Sequence, residues 1–488
     1  MNKKIIIFLT LIAFLVSGIF LSFRLTQTPR GITVDEASIG YNAVLLSRNL
    51  HDESGRFLPF FPLTLSGQDW KQPITIYTTS IIFNIFGPSL LSLRGVSVMV
   101  SLISLILVVY LGYLMFGKSG GALSGILFIT TPMILIHTHL AQENIMPIPF
   151  TLVWLIGIYL YSKKYNPWFL LLSGISLGLG LYSYKGMRAI IPVWAIITFV
   201  YILFTTNANR FNKKYLLNSL KNSLYFIAGI LPFILIIPWL NTNYAGAVFE
   251  TGNFEFKSFY TFLYPYLSSF DLSALFIKGD TLPIHSTGIH GVFLIATLPL
   301  FISGLVRAVK KDIFWIFLLV SFFATPILFG QVGSVYRFSR LLVFIPFFVV
   351  FSTLGIKTIY HSKIGKHLLP LFFLLFILNF TDFTRYYWFR YPDIEQSYFL
   401  ANHESSYKQL AKISHEYNLK PFIFIDDFLE EKEAGKFFAS AYFPDGLGYW
   451  KPGDLLPKNS VVMTLLKSQP NLKPIETPTE YYYFLTNI

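Results

Sequence analysis

The sequence predicts an all-α polytopic membrane protein that carries a small C-terminal α/β domain, and three observations predict it. Of 488 residues, 54% are hydrophobic and only 13% charged, a balance that belongs to a chain with many apolar spans. Apolar stretches of spanning length recur at about 5–23, 90–116, 120–138, 146–161, 167–184, 189–205, 222–240, 289–306, 313–330, 341–357 and 368–383, which makes about 11 transmembrane helices. Beyond Asp382 the hydropathy falls, and residues 384–488 carry eleven basic and thirteen acidic side chains. The domains are therefore 1–383, transmembrane, and 384–488, soluble.

The first stretch, Met-Asn-Lys-Lys followed by Ile5 to Phe23, has the order of a signal peptide but no small-x-small cleavage site, and is taken as a retained first helix. Residues 73–86 place Gln72, Thr75 and Thr79 on one face and Ile74, Tyr77, Ile81 and Ile85 on another, which predicts a juxtamembrane helix in the first outer loop rather than a crossing. In the soluble part, Ser405 to Asn418 and Phe428 to Ser440 predict helices, and residues 421–425 and 481–485 predict strands.

With an inner N-terminus, the segments assigned to the cytoplasm hold fifteen Lys and Arg against the single carboxylate Asp312, while the first outer loop, 24–88, holds five of each sign. The positive-inside rule explains this asymmetry, and with it the net charge of +13, so no nucleic-acid partner is called for. The C-terminal domain, Asp35 and Glu143 then lie outside the cytoplasm. Cysteine is absent, which excludes disulfides, thiolate metal sites and thiol nucleophiles. There is no Walker loop, GxSxG elbow or HExxH.

The candidate chemistry lies in oxygen and nitrogen groups. Thr33-Val-Asp-Glu36 has the form of a capping box, so Asp35 and Glu36 either stabilise a helix start or serve catalysis. Glu143 follows the third span and is either a solvated loop carboxylate or a third catalytic acid. Asp52 and Asp69 carry either local turn chemistry or a further role, and His285 and His290 are a weak metal signal. Lys71, Arg94, Lys185, Arg188, Arg337 and Arg340 break the charge rule by standing at outer helix ends. They either snorkel to headgroups or bind one shared anionic ligand such as a lipid phosphate.

These residues resemble a known family. Asp35-Glu-Ala-Ser-Ile-Gly-Tyr-Asn-Ala43, His51-Asp-Glu, Leu58-Pro-Phe-Phe61, Asp69-Trp-Lys-Gln-Pro73 and Leu93-Arg94 are similar to the first outer loop of the polytopic glycosyltransferases of the protein O-mannosyltransferase and lipid A aminoarabinose transferase superfamily. Ala141-Gln-Glu-Asn144, Leu181-Tyr-Ser-Tyr-Lys-Gly-Met-Arg188 and Arg340 before Pro346 agree in order. The resemblance implies the GT-C fold and a sugar donor carried on polyprenyl phosphate. Departures are Lys71-Gln-Pro73 where Lys-Pro-Pro is usual, His139 where Arg is common, and Trp70 where some members hold a metal-binding carboxylate. No cofactor is implied firmly; a divalent metal is left open.

The expectation is an inverting membrane glycosyltransferase that moves a sugar from a polyprenyl-phosphate carrier to an extracytoplasmic glycan, lipid or protein acceptor. Asp35 is the expected general base, with Glu36 and Glu143 beside it, and Lys71, Arg94, Lys185, Arg188, Arg337 and Arg340 bind the lipid phosphate. The alternatives are a lipid-linked saccharide transporter or flippase, for which internal repeat symmetry is missing, and a non-catalytic envelope subunit.

Overall fold

The computed structural model describes residues 3–205, 213–248, 258–394, 399–400, 403–424, 432–451, 456–465, 473–475 and 482–486. Helix α1 is Lys3–Ser22 and α2 is Val34–Asn49. A short hairpin, β1 (Leu63–Thr64) and β2 (Asp69–Trp70), precedes α3 (Pro73–Phe86). Then come α4 (Leu90–Ile129), α5 (Pro132–Thr138), α6 (Pro147–Lys164), α7 (Trp168–Gly180), α8 (Met187–Thr205), α9 (Lys213–Leu235), α10 (Ile237–Asn243) and α11 (Phe259–Ser268). The membrane part closes with α12 (Leu298–Val309), α13 (Ile313–Ala324), α14 (Ile327–Val332), α15 (Phe344–Tyr360), α16 (Gly365–Phe389) and α17 (Tyr391–Ile394).

Among the described residues, six helices are long and apolar enough to cross a membrane: Leu90–Ile129, Glu143–Lys164, Met187–Thr205, Leu217–Asn243, Ile313–Val332 and Gly365–Asp393. Leu11–Ser22, Pro73–Phe86, Trp168–Gly180, Ile295–Val309 and Phe344–Tyr360 are shorter apolar helices. Helix α4 runs from the first of two stretches expected as separate spans, 90–116 and 120–138, into the second, and it is broken between them at Gly117, whose φ of 77° is not helical. The stretch expected as helix from 289 becomes helical only at Ile295, because Gly291 runs against the backbone of Leu275 and Phe276, leaving no room for a Cβ. On α3, Thr75, Thr79 and Ser80 are buried while Ile81, Ile85 and Phe86 are exposed. That is the reverse of a water-soluble helix, and at 14 residues it reaches about 21 Å, short of a bilayer core.

The chain forms two compact units that interrupt one another in sequence. One comprises Met1–Phe23, Gln72–Ile74 and Ser97–Tyr387; the other comprises Arg24–Lys71, Thr75–Val96 and Trp388–Ile488. The boundary expected at 383/384 lies close to the last of these divisions, and the remainder of the second unit comes from most of the segment between α1 and α4 and from the start of α4.

In the first unit, α12 and α15 meet backbone to backbone. A Cβ at Gly304 would fall on the Phe351 carbonyl, and one at Gly355 on the Leu300 carbonyl, the small-residue approach that apolar surroundings favour. Trp154 of α6 stacks on Trp194 of α8 at 4.7 Å, with Phe317 and Phe347 packed around them. Along α16, Leu371, Phe373, Leu374 and Leu378 face outward, as a lipid-facing surface requires.

In the second unit, a five-stranded sheet has the order β4-β3-β5-β7-β6. Its strands are β3 (Lys420–Phe424), β4 (Gly448–Trp450), β5 (Ser460–Thr464), β6 (Lys473–Ile475) and β7 (Tyr482–Leu485). β3 is parallel to β4 and β5, and β7 is antiparallel to β5 and β6. Helices α18 (His403–Glu416) and α19 (Lys432–Tyr442) complete the expected α/β fold. The start expected for the second helix, residues 428–431, and Ile425 and Tyr481 of the expected strands lie outside the described residues. The face of α19 lies against α2, where Phe437 crosses Gly40 and stacks on Phe83 at 6.2 Å. Residues 24–71 and the C-terminal segment thus belong to one packed body.

Candidate functional site

The capping box is present. Thr33 accepts from the Glu36 N–H at 3.2 Å, and Glu36 accepts from the Thr33 N–H at 3.0 Å, which satisfies orphan donors at the start of α2. Glu36 is fully buried and paired with fully buried Arg94. Arg94 donates Nε–H to Glu36 Oε1 at 2.9 Å and Nη2–H to Glu36 Oε2 at 3.3 Å. Its Nη1 reaches the carbonyls of Leu25 and Pro29 at 3.0 and 2.9 Å, and Nη2 reaches that of Gly31 at 2.6 Å. These bonds match all five guanidinium hydrogens. No donor remains for a phosphate oxygen, so the phosphate-binding role expected of Arg94 does not fit this geometry. Glu36 is likewise the cap and counter-ion rather than a carboxylate free to take a substrate proton.

Asp35, one residue away, faces outward with 52% of its side chain exposed. Lys71, 7% exposed, bridges Asp35 Oδ1 at 2.7 Å and Asp69 Oδ2 at 2.8 Å. The β1–β2 hairpin builds this bridge, because Asp69 and Lys71 are two apart on an extended strand and share a face. Trp70 on the other face receives the Arg56 guanidinium at 4.7 Å. Asp52 organises the loop: its Oδ1 accepts from Ser54 and Arg56 N–H and its Oδ2 from Leu63 N–H, the local turn role. Asp69, by contrast, belongs to the site.

Further along α2, the Lys436 ammonium lies 2.9 Å from Glu433 and 3.5 Å from Glu53, donates to Ser66 Oγ at 3.1 Å and sits over the Tyr41 ring. Burial, then the charge of Glu433, pushes the Glu53 carboxyl above the usual range against the pull of Lys436 and the Ser66 N–H. Burial lowers the Lys436 ammonium, but its bond to Glu433 and the charge of Glu53 hold it above its ordinary value. Burial also raises the Tyr41 phenol.

In the other unit, Glu143 is buried and its Oε1 accepts the Gln72 backbone N–H. Gln72 Oε1 accepts from Arg188 Nη2, and Arg188 Nη1 donates to the carbonyls of Ala247 and Val248 at 2.6 and 2.8 Å. Lys185 is part-buried in the turn before α8. Arg337 precedes the 3₁₀ turn Phe338–Leu341 and Arg340 lies within it; Arg340 donates to Ser334 at 2.8 Å, and the buried Nε of Arg337 has no hydrogen-bond partner among the described residues. His290 bonds Asp382 and Thr287, and His285 stacks on His137. Asp35, Lys71 and Asp69 therefore form one group, Glu36 and Arg94 a second, and Glu143 and Arg188 a third joined by Gln72. The link through Gln72 had no signal in spacing.

The donor set does not fit a resident divalent ion. Asp35 and Asp69 converge on an ammonium rather than on a vacancy for a cation, Trp70 precedes Lys71, and no group of three or more His, Asp or Glu capable of holding a metal occurs among the described residues.

Residues 71–241 match the family model of dolichyl-phosphate-mannose-protein mannosyltransferases. The fold is similar to that of ArnT from Cupriavidus metallidurans: the apo structure aligns with a TM-score of 0.57 at 10% identity over 97% of either chain. The same protein bound to undecaprenyl phosphate aligns with a TM-score of 0.55 at 9% identity, again over 97% of either chain. The oligosaccharyltransferase of Archaeoglobus fulgidus in its apo form gives 0.49 at 14% identity, over 90% of this chain and 64% of its own. No curated protein sequence matches the chain significantly.

Proposed function

We propose that this chain is a GT-C fold glycosyltransferase of the protein mannosyltransferase and ArnT superfamily, and that it moves a sugar, with inversion, from a polyprenyl-phosphate carrier to an acceptor on the outer side of the membrane. The observation that carries the proposal is the exposed Asp35 carboxylate bridged through buried Lys71 to Asp69. An acceptor hydroxyl has a pKa far above neutrality and needs a positioned base. Asp35 takes that proton as the hydroxyl oxygen bonds to the anomeric carbon. The bond from that carbon to the phosphate oxygen breaks, and its electron pair leaves with the prenyl phosphate.

The phosphate gains negative charge in that step, so a preplaced cation favours the transition state over the ground state. Lys71 serves this purpose: its ammonium exchanges the Asp35 oxygen for a phosphate oxygen when the donor arrives. Asp69 keeps Lys71 in place through the exchange. Arg188, Arg340, Arg337 and Lys185 are further candidates for binding lipid phosphate, and Glu143 for binding the sugar or acceptor. The undecaprenyl phosphate bound to ArnT in one of the similar structures supports a lipid-carried donor. The charge asymmetry between loops supports an inner N-terminus and an outer C-terminal domain.

Asp35→Asn tests the base. An amide keeps the size and is itself favoured near helix starts, so folding and donor binding should be retained. Transfer should fall by roughly 100- to 10,000-fold, the usual worth of a general base. Transfer within a few-fold of the parent, at matched thermal stability, would remove Asp35 from the chemistry.

A further inference from the structure

Gln72 is fully buried, and its surroundings dictate which way its amide faces. Its backbone N–H donates to Glu143, its Oε1 accepts from Arg188, and all three residues belong to the same compact unit. Turning the amide over would set its N–H groups against the guanidinium N–H, donor against donor. The Nε2 group therefore points away from Arg188, and no protein atom among the described residues accepts from it. A buried amide donor left without an acceptor is unfavourable and rare, and it calls for a specific explanation. Arg188 adds to the constraint, since its Nη1 is held by the Ala247 and Val248 carbonyls and the guanidinium cannot swing to relieve the amide.

Residue 72 is also where the chain departs from the Lys-Pro-Pro pattern of the family it resembles. Proline has neither a backbone N–H nor a side-chain amide, so both bonds made by Gln72, and its spare donor, depend on this departure.

We infer that Gln72 is a substrate-binding residue whose Nε2 donates to an oxygen of the lipid-linked donor, either on the phosphate or on a sugar hydroxyl. Its backbone N–H and Oε1 meanwhile hold Glu143 and Arg188 beside that oxygen. The inference rests on the transferase reading above and adds to it a residue that contacts the donor.

Gln72→Glu separates the two sides of the amide. It keeps the backbone N–H for Glu143 and an acceptor for Arg188, but replaces the spare donor by a second acceptor. Binding of a polyprenyl phosphate without sugar, and of the same lipid carrying its sugar, is measured on the full-length protein in detergent together with its melting temperature. The variant should melt like the parent and bind at least one lipid about tenfold or more weakly, the worth of one hydrogen bond to a charged or strongly polar acceptor. Loss with both lipids, shared by the uncharged Gln72→Met, assigns the contact to the phosphate, and loss with the sugar-bearing lipid alone assigns it to a hydroxyl.

Unchanged binding of both lipids would overturn the inference and leave Gln72 as a brace between Glu143 and Arg188. Should Gln72→Glu fail to fold, Gln72→Met decides by the same criterion, since it fills the volume without a donor. A parent that binds neither lipid overturns the transferase reading and the inference with it. A parent that binds both yet transfers nothing overturns the reaction alone, and the comparison at residue 72 still stands.

Discussion

Arg94→Met separates a structural cation from a phosphate ligand. The parent guanidinium is fully buried, pairs with Glu36, itself fully buried, and spends its remaining hydrogens on the carbonyls of Leu25, Pro29 and Gly31. Removing it strands the Glu36 carboxylate, and breaking a buried pair by deleting one partner costs about 3–5 kcal/mol. The three carbonyls lose donors as well, so about 4 kcal/mol is a conservative expectation against a typical domain stability of about 5–15 kcal/mol. Urea unfolding of purified protein in detergent, followed by tryptophan fluorescence, measures the loss.

Adding Glu36→Gln to Arg94→Met neutralises the stranded charge and should recover about 2 kcal/mol or more, a coupling typical of residues in one network. A phosphate-binding Arg94 gives the opposite pattern, with stability kept and lipid binding lost. Arg94→Met within about 1 kcal/mol of the parent would refute the structural assignment, because surface-like substitutions fall in that range.

Two further outcomes follow. Lys71→Met removes the ammonium that Asp35 and Asp69 share, and transfer at saturating lipid should fall by about 100-fold or more, as for loss of a group that stabilises developing charge; Lys71→Arg should recover only part, since a planar fork does not replace a point ammonium. For Glu53, whose folded pKa is raised above the ordinary 4.5 by burial first, the native state holds the proton more tightly than the unfolded chain. Its contribution therefore lowers stability as pH rises from 4.5 through the raised value, and thermal melts of Glu53→Gln across that window should show a flatter pH dependence than the parent.

The sequence carried the periodic and local features. The capping box at Thr33 and Glu36 was legible because its residues are three apart and its geometry is set by one turn. The exposed apolar face of α3 was legible from its spacing. The pairing of Arg94 with Glu36 is not legible because the partner lies 58 residues away, and a cation near a membrane edge points as readily to lipid as to a buried acid. Spacing alone leaves Asp69 between turn chemistry and a further role, because only the short β1–β2 hairpin shows that it and Lys71 share a face. The link from Glu143 through Gln72 to Arg188 spans three separate stretches of chain, and no periodicity encodes it. Gly117 falls between two apolar stretches, and its backbone angle shows that the helix is interrupted there.

The close packing of α2 against α19 has a consequence in time. Lys436 reaches a loop residue 370 positions earlier in the chain, so at a ribosomal pace of about 5–20 residues per second the first loop waits roughly 20–75 s for the helix that covers it. Throughout that interval Glu53, Tyr41 and the flank of α2 beside Gly40 lack the Lys436 and Phe437 that close over them. The helix that bears Asp35 is thus synthesised long before it is covered.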